Sequence, residues 1–198
     1  LIGAAMAKVS EWMDTGFKAA NLERNLKIPI EDAARATQGL VDNMSLMEAS
    51  SRASAFGIKM TSGEFASLAK AATIAAKRMG IDTNQAIGDM ITGMARMSPR
   101  ILDNLGIMVK ADSAFRQYAA SVQKTVSQLT AQEKQAAFTQ AAMSALNKIA
   151  SEGVLKTDDL GGAFKRAKTD LKNLKDAFLG FVSSIKVDGG LAAGAGGK

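Results

Sequence analysis

The chain of 198 residues contains no cysteine and no histidine. It therefore cannot form a disulfide, a thiolate or imidazole metal site, or a Ser-His-Asp triad. The remaining candidate acid-base groups are carboxylates and lysines, and they are scattered in the way that solvated helix charges are. We interpret the pair Asp158-Asp159 as a helix N-terminus, not as an acid/base pair. We expect a protein that is not an enzyme, with no catalytic residue, no cofactor and no metal.

Aromatic residues are also scarce, at 5%, although hydrophobic residues make up 47% of the chain. Much of the apolar content is alanine and methionine, which favours helices that pack closely through small side chains. No window of about 18 uninterrupted apolar residues occurs, so no membrane span is expected. The length favours one domain or an elongated array. Because the chain begins at Leu1 and not at methionine, we expect it to be a piece of a longer protein.

Apolar residues at spacings of three and four predict a series of helices separated by short breaks. One break falls at Pro29, because the residue before a proline avoids the helical region and the proline itself suits the first turn of the next helix. The predicted helical ranges are 1–26, 30–55, 62–79, 83–97, 112–122 and 131–152.

Two of these helices, 30–55 and 62–79, and a short helix before Gly106 end at the same two-residue signal, Gly followed by Ile. Glycine is the preferred residue for the left-handed position just past a helix end, and the apolar residue after it can fold back on the residue five places earlier. The predicted pairs are Ile58 with Ala53, Ile81 with Ala76, and Ile107 with Leu102. This recurrence predicts short helices joined by tight turns that glycine terminates.

Two further local signals concern helix starts. In the segment SPRILDNLGI, Ser98 is placed to cap a short helix, and Pro99 takes its first position, where a missing N–H costs nothing. We expect the helix to run from Arg100 to Leu105, with Ile101, Leu102 and Leu105 on its buried side. Farther along, Thr130 and Glu133 match a capping box, in which each side chain serves the backbone N–H of the other residue.

The last predicted helix has the clearest period, because apolar residues recur there at alternating spacings of four and three over about four heptads. Such a seam is typical of a coiled coil and can be filled by the rest of the chain or by copies of it. Self-association is favoured, since a short chain has few other long helices, and the bulky phenylalanines favour a bundle wider than a tight dimer. The seam residues are Leu160, Phe164, Ala167, Leu171, Leu174, Phe178, Phe181 and Ile185.

Charge is unevenly distributed, since residues 160–198 carry seven basic and three acidic side chains, a net +4 of the overall +6. This region could meet nucleic acid, anionic lipid or an acidic protein wall, or it could be a solvated helix face. One alternative function is therefore a basic helical module that binds nucleic acid, although the aromatics lie on the seam and not among the lysines. Another is a membrane-active helix around Phe178 and Phe181.

Four stretches carry a resemblance to a known family: SPRILDNLGI (98–107), ADSAF (111–115), KTV (124–126) and LTAQEKQ (129–135). In order and wording they resemble phage tail tape measure proteins, over roughly residues 55–180. The departures are small: Pro99 and Gln123 stand where many relatives have other residues. The residues that match the family pattern, all of them structural, are Ser98, Pro99, Ile101, Leu102, Asp103, Asn104, Leu105, Gly106, Ile107, Thr130 and Glu133.

The resemblance implies a structural role in a virion, in the lumen of a tail tube or at the tail tip. Such proteins scaffold tube assembly, set tail length and are expelled during genome delivery. The implied partners are further copies of the chain, as a trimer or hexamer, and the proteins of the tail tube and of the tail tip or baseplate hub. Host membrane and DNA are implied partners during ejection.

Together these patterns predict an all-α protein in which short helices precede a long amphipathic heptad helix, as part of an elongated oligomeric bundle. The predicted organisation has N-terminal helices over 1–55, a tape-measure-like helical region over 56–155 and a heptad helix over 156–187. A flexible glycine-rich tail follows over 188–198.

Overall fold

The computed structural model describes residues 26–153, residue 155 and residues 160–184, with four residues nearer the start of the chain: Asp14, Lys18, Asn21 and Leu22. Within residues 160–184, side chains are described for 166–179. The predicted helix over 1–26 lies almost wholly outside the described residues. The pair Asp158-Asp159 and the predicted tail over 188–198 lie outside them completely.

The described part of the chain is all-α and contains no strand, which confirms the predicted fold class at this level. Eight α-helices and one short 3-10 turn follow one another, and a single helix of 25 residues ends the described part. The helices are α1 (Glu31–Ala36), α2 (Asn43–Ala55), α3 (Ser62–Met79), α4 (Thr83–Ala95), α5 (Pro99–Asp103), α6 (Ala111–Ser121), α7 (Ala131–Glu152) and α8 (Leu160–Ser184), with the 3-10 turn Val126–Gln128 between α6 and α7.

The prediction of one helix over 30–55 was wrong, because the chain breaks between α1 and α2. Gln38 and Gly39 both adopt left-handed backbone angles, with φ of 52° and 69°. Asp42 then starts α2 as its N-cap, and its carboxylate accepts a hydrogen bond from the Ser45 N–H at 3.0 Å. Pro29 also lies just outside α1, which begins at Glu31. The carboxylate cap and the glycine three residues before it were the available signals for this break.

The boundaries predicted for the helices over 62–79, 83–97, 112–122 and 131–152 agree with the structure within two residues. Helix α3 has the predicted range, and its N-cap Thr61 forms a capping box with Glu64. Helix α4 ends at Ala95, two residues earlier than predicted, and Met97 then adopts a left-handed φ of 48°. Helix α6 covers 111–121, against the predicted 112–122.

The three Gly-Ile stops have the predicted geometry. Gly57, Gly80 and Gly106 have φ of 71°, 68° and 73°. After each glycine, the isoleucine N–H donates to the carbonyl five residues earlier: Ile58 to Ala53 at 3.0 Å, Ile81 to Ala76 at 3.1 Å, and Ile107 to Leu102 at 3.0 Å. These are the bonds that satisfy carbonyl groups left open at a helix end.

Helix α3 lies at the centre of the molecule and contacts α1, α4 and α7. Its buried positions are mostly alanine, which lets neighbouring helices approach closely, and larger side chains such as Phe65 and Phe138 fill the remaining space. The core extends from Ile28 to Ala150, so it takes residues from both sides of the domain boundary predicted at residue 55. The buried alanines of α3 are Ala66, Ala69, Ala71, Ala72, Ala75 and Ala76.

Candidate functional site

The family-like segment 98–107 forms a compact corner between α4 and α6. Ser98 is the N-cap of α5, and its hydroxyl accepts a hydrogen bond from the Ile101 N–H at 3.4 Å, while Pro99 occupies the first turn. The helix ends at Asp103, not at Leu105 as predicted, because the chain is already turning towards Gly106. Asp103 and Asn104 are exposed.

The apolar residues of this corner insert into the core. Leu102, Leu105 and Ile107 are buried, as predicted, whereas Ile101 is only half-buried. Leu102 packs against Gly93 of α4, so closely that a Cβ at Gly93 would lie 2.7 Å from Leu102 Cδ2. The two glycines of α4 leave room for side chains: Leu102 at Gly93, and the Arg52 guanidinium at Gly88.

The predicted capping box at the start of α7 is present. The Thr130 hydroxyl accepts from the Glu133 N–H at 3.2 Å, and the Glu133 carboxylate accepts from the Thr130 N–H at 2.8 Å. Lys124 also donates to Glu133, at 2.5 Å. The hydrogen bond from Lys124, followed by those from Thr130, lowers the pKa of Glu133 to about 2. This cluster ties the loop after α6 to the start of α7.

An open groove with a volume of about 600 Å³ lies between the start of α3 and α7. Its wall includes Lys59, Glu64, Thr139 and Met143. Glu64 is already engaged in the capping box with Thr61, so it offers no free base. In the part of the chain that the structure describes, no group of three or more acidic residues could hold a metal ion.

Helix α8 presents its apolar face to solvent and its polar face to the rest of the protein. On the outward face Leu171, Leu174 and Phe178 are 69%, 68% and 63% exposed. At 3.6 residues per turn, these positions lie on the opposite side of the helix from Thr169 and Asp176. An amphipathic helix normally buries its apolar stripe against the core, so this arrangement is the reverse of the usual one.

The inward face of α8 is fixed to the start of α2 by polar contacts. The Asn43 N–H donates to the Asn173 side-chain oxygen at 2.9 Å, and Lys172 donates to the Asp42 carboxylate at 2.6 Å. Asp42 is also the N-cap of α2, so its carboxylate both caps α2 and binds Lys172 of α8. Among the side chains described at 166–179, Thr169 and Leu179 are buried.

The charges under α8 are not fully satisfied. Burial raises the pKa of Asp42, but hydrogen bonds from Lys172 and Ser45 more than offset this, and the net shift is downward. Asp176 shows the opposite result: burial raises its pKa, and the Lys172 charge only partly compensates. No described residue donates a hydrogen bond to its buried Oδ2. The helix is therefore held by the ion pair of Lys172 with Asp42, beside a carboxylate whose Oδ2 has no described hydrogen-bond donor.

The predicted seam could be covered by the rest of the chain or by copies of it, and the described part of the chain does not cover it. Besides the three large side chains above, Ala167 is exposed. The backbone of Leu160, Phe164 and Phe181 belongs to α8, but their side chains are not described, and Ile185 lies outside the described residues. The inward polar residues were not predicted from the sequence, although three of them, at positions 172, 173 and 176, share the face opposite the seam.

The chain matches no protein-family model and no solved structure. Among the helices that the structure describes, none combines the length and apolar character needed to cross a membrane.

Proposed function

We propose that this chain is a segment of a phage tail tape measure protein, a structural component that scaffolds the tail tube and sets its length. It acts in the tail tube lumen or at the tail tip and is expelled during genome delivery. The observation that carries the proposal is the family-like stretch of residues 98–135. Its four quoted segments fall on a helix corner, a helix start, a turn and a capping box, as expected of a scaffold.

The physical character of the chain supports a structural role. All described elements are helices, and the long α8 spans about 37 Å at 1.5 Å per residue. The net charge of +6 would let an acidic tube wall retain the chain by long-range attraction without fixed contacts. Such retention permits later sliding, which expulsion requires.

The proposed partners are further copies of the chain and the tube and tip proteins, with host membrane and DNA met during ejection. Self-association is supported by the outward seam of α8, since three large apolar side chains remain exposed there. A trimer or hexamer would accommodate the phenylalanines better than a tight dimer.

The proposal is tested by lengthening or shortening the gene for this chain within its own genome. An in-frame deletion of residues 160–184 should shorten the tail by about 37 Å if α8 lies along the tube axis. A duplication of the same residues should lengthen it by the same amount and serves as the matched control. Electron microscopy gives the mean tail length, and mass spectrometry of purified tails detects the chain. Equal tail lengths in both variants, or tails without the chain, would refute the proposal.

A membrane-active module is the second candidate, because the exposed apolar face of α8 lies beside Lys168 and Lys175. This arrangement suits an interfacial helix on anionic lipid. Flotation of the whole chain with anionic vesicles would support it, and recovery of all the protein from the lipid-free fraction would exclude it.

A further inference from the structure

Few contacts hold α8 on the rest of the described chain. Lys172 donates to the Asp42 carboxylate at 2.6 Å, and the Asn173 side-chain oxygen accepts from the Asn43 N–H at 2.9 Å. Of the side chains described at 166–179, two are buried. Because the apolar surface that the helix buries is small, the free energy of docking is small as well. A change in the charge of one group at this contact is therefore enough to alter the population of the docked helix.

Asp176 is the group at this contact whose charge is poorly compensated. It lies four residues after Lys172, on the same inward face of the helix. Its Oδ2 is buried, and no described residue donates a hydrogen bond to it. An ionised carboxylate in this position loses water without gaining a hydrogen bond, which costs free energy. The protonated carboxyl is neutral and carries an O–H donor, so the docked helix favours the protonated form.

The charged groups around this contact act on Asp176 in the same direction as its burial. Burial is the largest effect and raises the pKa of Asp176. The Lys172 charge only partly offsets this rise, and the Asp42 charge raises the pKa further. The charged residues at the contact lie on three elements: Asp42 at the start of α2, Asp82 at the start of α4, and Lys168, Lys172, Lys175 and Asp176 on α8.

We infer that protonation of Asp176 controls the docking of α8: the helix takes up a proton when it docks on the start of α2, so it is held most firmly in mild acid and loosens towards neutral pH. The inference concerns a contact within one chain and does not depend on the proposed function. Loosening separates Lys172 from Asp42 and exposes the polar face of α8 together with the N-terminal end of α2.

The two carboxylates at the contact titrate with opposite consequences. The pKa of Asp176 is raised above 3.8 in the docked helix, so docking weakens as the pH rises through the raised pKa and recovers as the pH falls towards 3.8. Burial would raise the pKa of Asp42, but hydrogen bonds from Lys172 and Ser45 lower it overall. The contribution of Asp42 is therefore complete above 3.8 and is lost as the pH falls below that value. Docking is firmest at about pH 4, where Asp176 is protonated and Asp42 still holds its ion pair.

Hydrogen exchange of the whole chain, measured by mass spectrometry at about pH 4.5 and about pH 7.5, tests the inference. Labelling times are scaled to the intrinsic exchange rate at each pH, and the amides of α3 serve as the internal reference. Protection of α8 relative to α3 should be roughly two- to tenfold lower at the higher pH in the parent chain. Asp176→Asn, which cannot ionise, should show the higher protection at both pH values. Asp170→Asn is the matched control, because it removes the same charge from the exposed side of the same helix, and it should keep the pH dependence of the parent.

Asp42→Asn gives a second, independent measurement. Asparagine keeps the N-cap of α2 but loses the ion pair with Lys172. Protection of α8 should therefore fall at both pH values, and it should differ less between them, since one cause of the raised pKa of Asp176 is removed. Equal protection of α8 at the two pH values in the parent chain would overturn the inference. PH dependence that persists in Asp176→Asn, or that disappears equally in Asp170→Asn, would also overturn it.

Discussion

Gly93 of α4 provides the sharpest test of how the family-like corner is held. A Cβ built at this position would lie 2.7 Å from Leu102 Cδ2, 2.9 Å from Leu102 Cγ and 3.3 Å from Ile101 Cγ2. Leu102 is completely buried, so its side chain cannot withdraw into solvent. The substitution Gly93→Ala therefore forces the whole of α5 to shift or Leu102 to leave its preferred rotamer.

Two effects of opposite sign decide the result. Helix propensity alone would make alanine more stable than glycine inside a helix by roughly 1 kcal/mol. Overpacking a filled core by a methyl group costs about 1–3 kcal/mol. With a cost near the middle of that range, we expect Gly93→Ala to lower the free energy of unfolding by about 1 kcal/mol. In a protein of this size that corresponds to roughly 2–4 °C in Tm.

The assay is urea unfolding of the whole chain followed by far-UV circular dichroism, with two glycine variants as controls. Gly63 lies in the first turn of α3 with nothing within 4 Å, so Gly63→Ala should be stabilising by up to about 1 kcal/mol. At Gly88 the new methyl group meets only the mobile end of Arg52, at 2.9 Å, so Gly88→Ala should change stability by less than about 0.5 kcal/mol.

A double-mutant cycle assigns the clash to its partner. Leu102→Ala alone should cost about 2–5 kcal/mol because it leaves a cavity. In the Gly93→Ala background it should cost less, by about 1 kcal/mol or more, since the clash is then absent. If Gly93→Ala proves as stabilising as Gly63→Ala, or if the cycle shows no coupling, the packing argument for this corner is refuted.

Three further predictions concern charge and backbone strain. Asp176→Asn removes an ionised carboxylate whose buried oxygen has no described donor, so hydrogen exchange in α8 should slow at neutral pH; faster exchange would contradict this. The pKa of Glu133 is lowered from 4.5 to about 2, so its contribution to stability is complete above pH 4.5 and is lost as the pH falls towards 2. Urea unfolding midpoints measured across this pH range should fall for the parent chain and fall less for the Glu133→Gln variant. Equal profiles would refute the prediction. Gly106 has φ of 73°, so Gly106→Ala should cost about 1 kcal/mol in thermal unfolding and Gly106→Asn less; equal losses would argue against backbone strain.

The elements that could be predicted from sequence are those controlled by a few neighbouring residues. The Gly-Ile stops depend on the freedom of glycine at positive φ and on an isoleucine one residue later, and both appear in the sequence. The capping box of Thr130 and Glu133 depends on a spacing of three. For this reason helix ends and starts were predicted within two residues at most positions.

The break between α1 and α2 was indicated only in part, by Gly39 and the Asp42 cap. Gln38 adopts a left-handed conformation that glutamine does not favour, and Thr37 beside it is completely buried. The close approach of Leu102 to Gly93 is likewise a property of two helices together. A sequence indicates that a glycine can admit a neighbour, but not whether the neighbour is backbone or side chain.

The orientation of α8 is the clearest case in which periodicity was informative but incomplete. The heptad pattern identified an apolar stripe, and the ordinary rule would place such a stripe against the core. The described core is filled by α1 to α7. The helix instead docks through Lys172 and Asn173, whose partners at Asp42 and Asn43 are about 130 residues away in the sequence. Contacts at that separation leave no local pattern.

The reversed orientation of α8 gives its two faces opposite responses to salt. Added ions screen the pair between Lys172 and Asp42, which is partly exposed, and so weaken the hold of the core on the helix. A salt such as ammonium sulfate, excluded from protein surfaces, strengthens the burial of Leu171, Leu174 and Phe178 against any apolar partner. Ionic composition alone would therefore loosen the docking of α8 while strengthening association through its outward face.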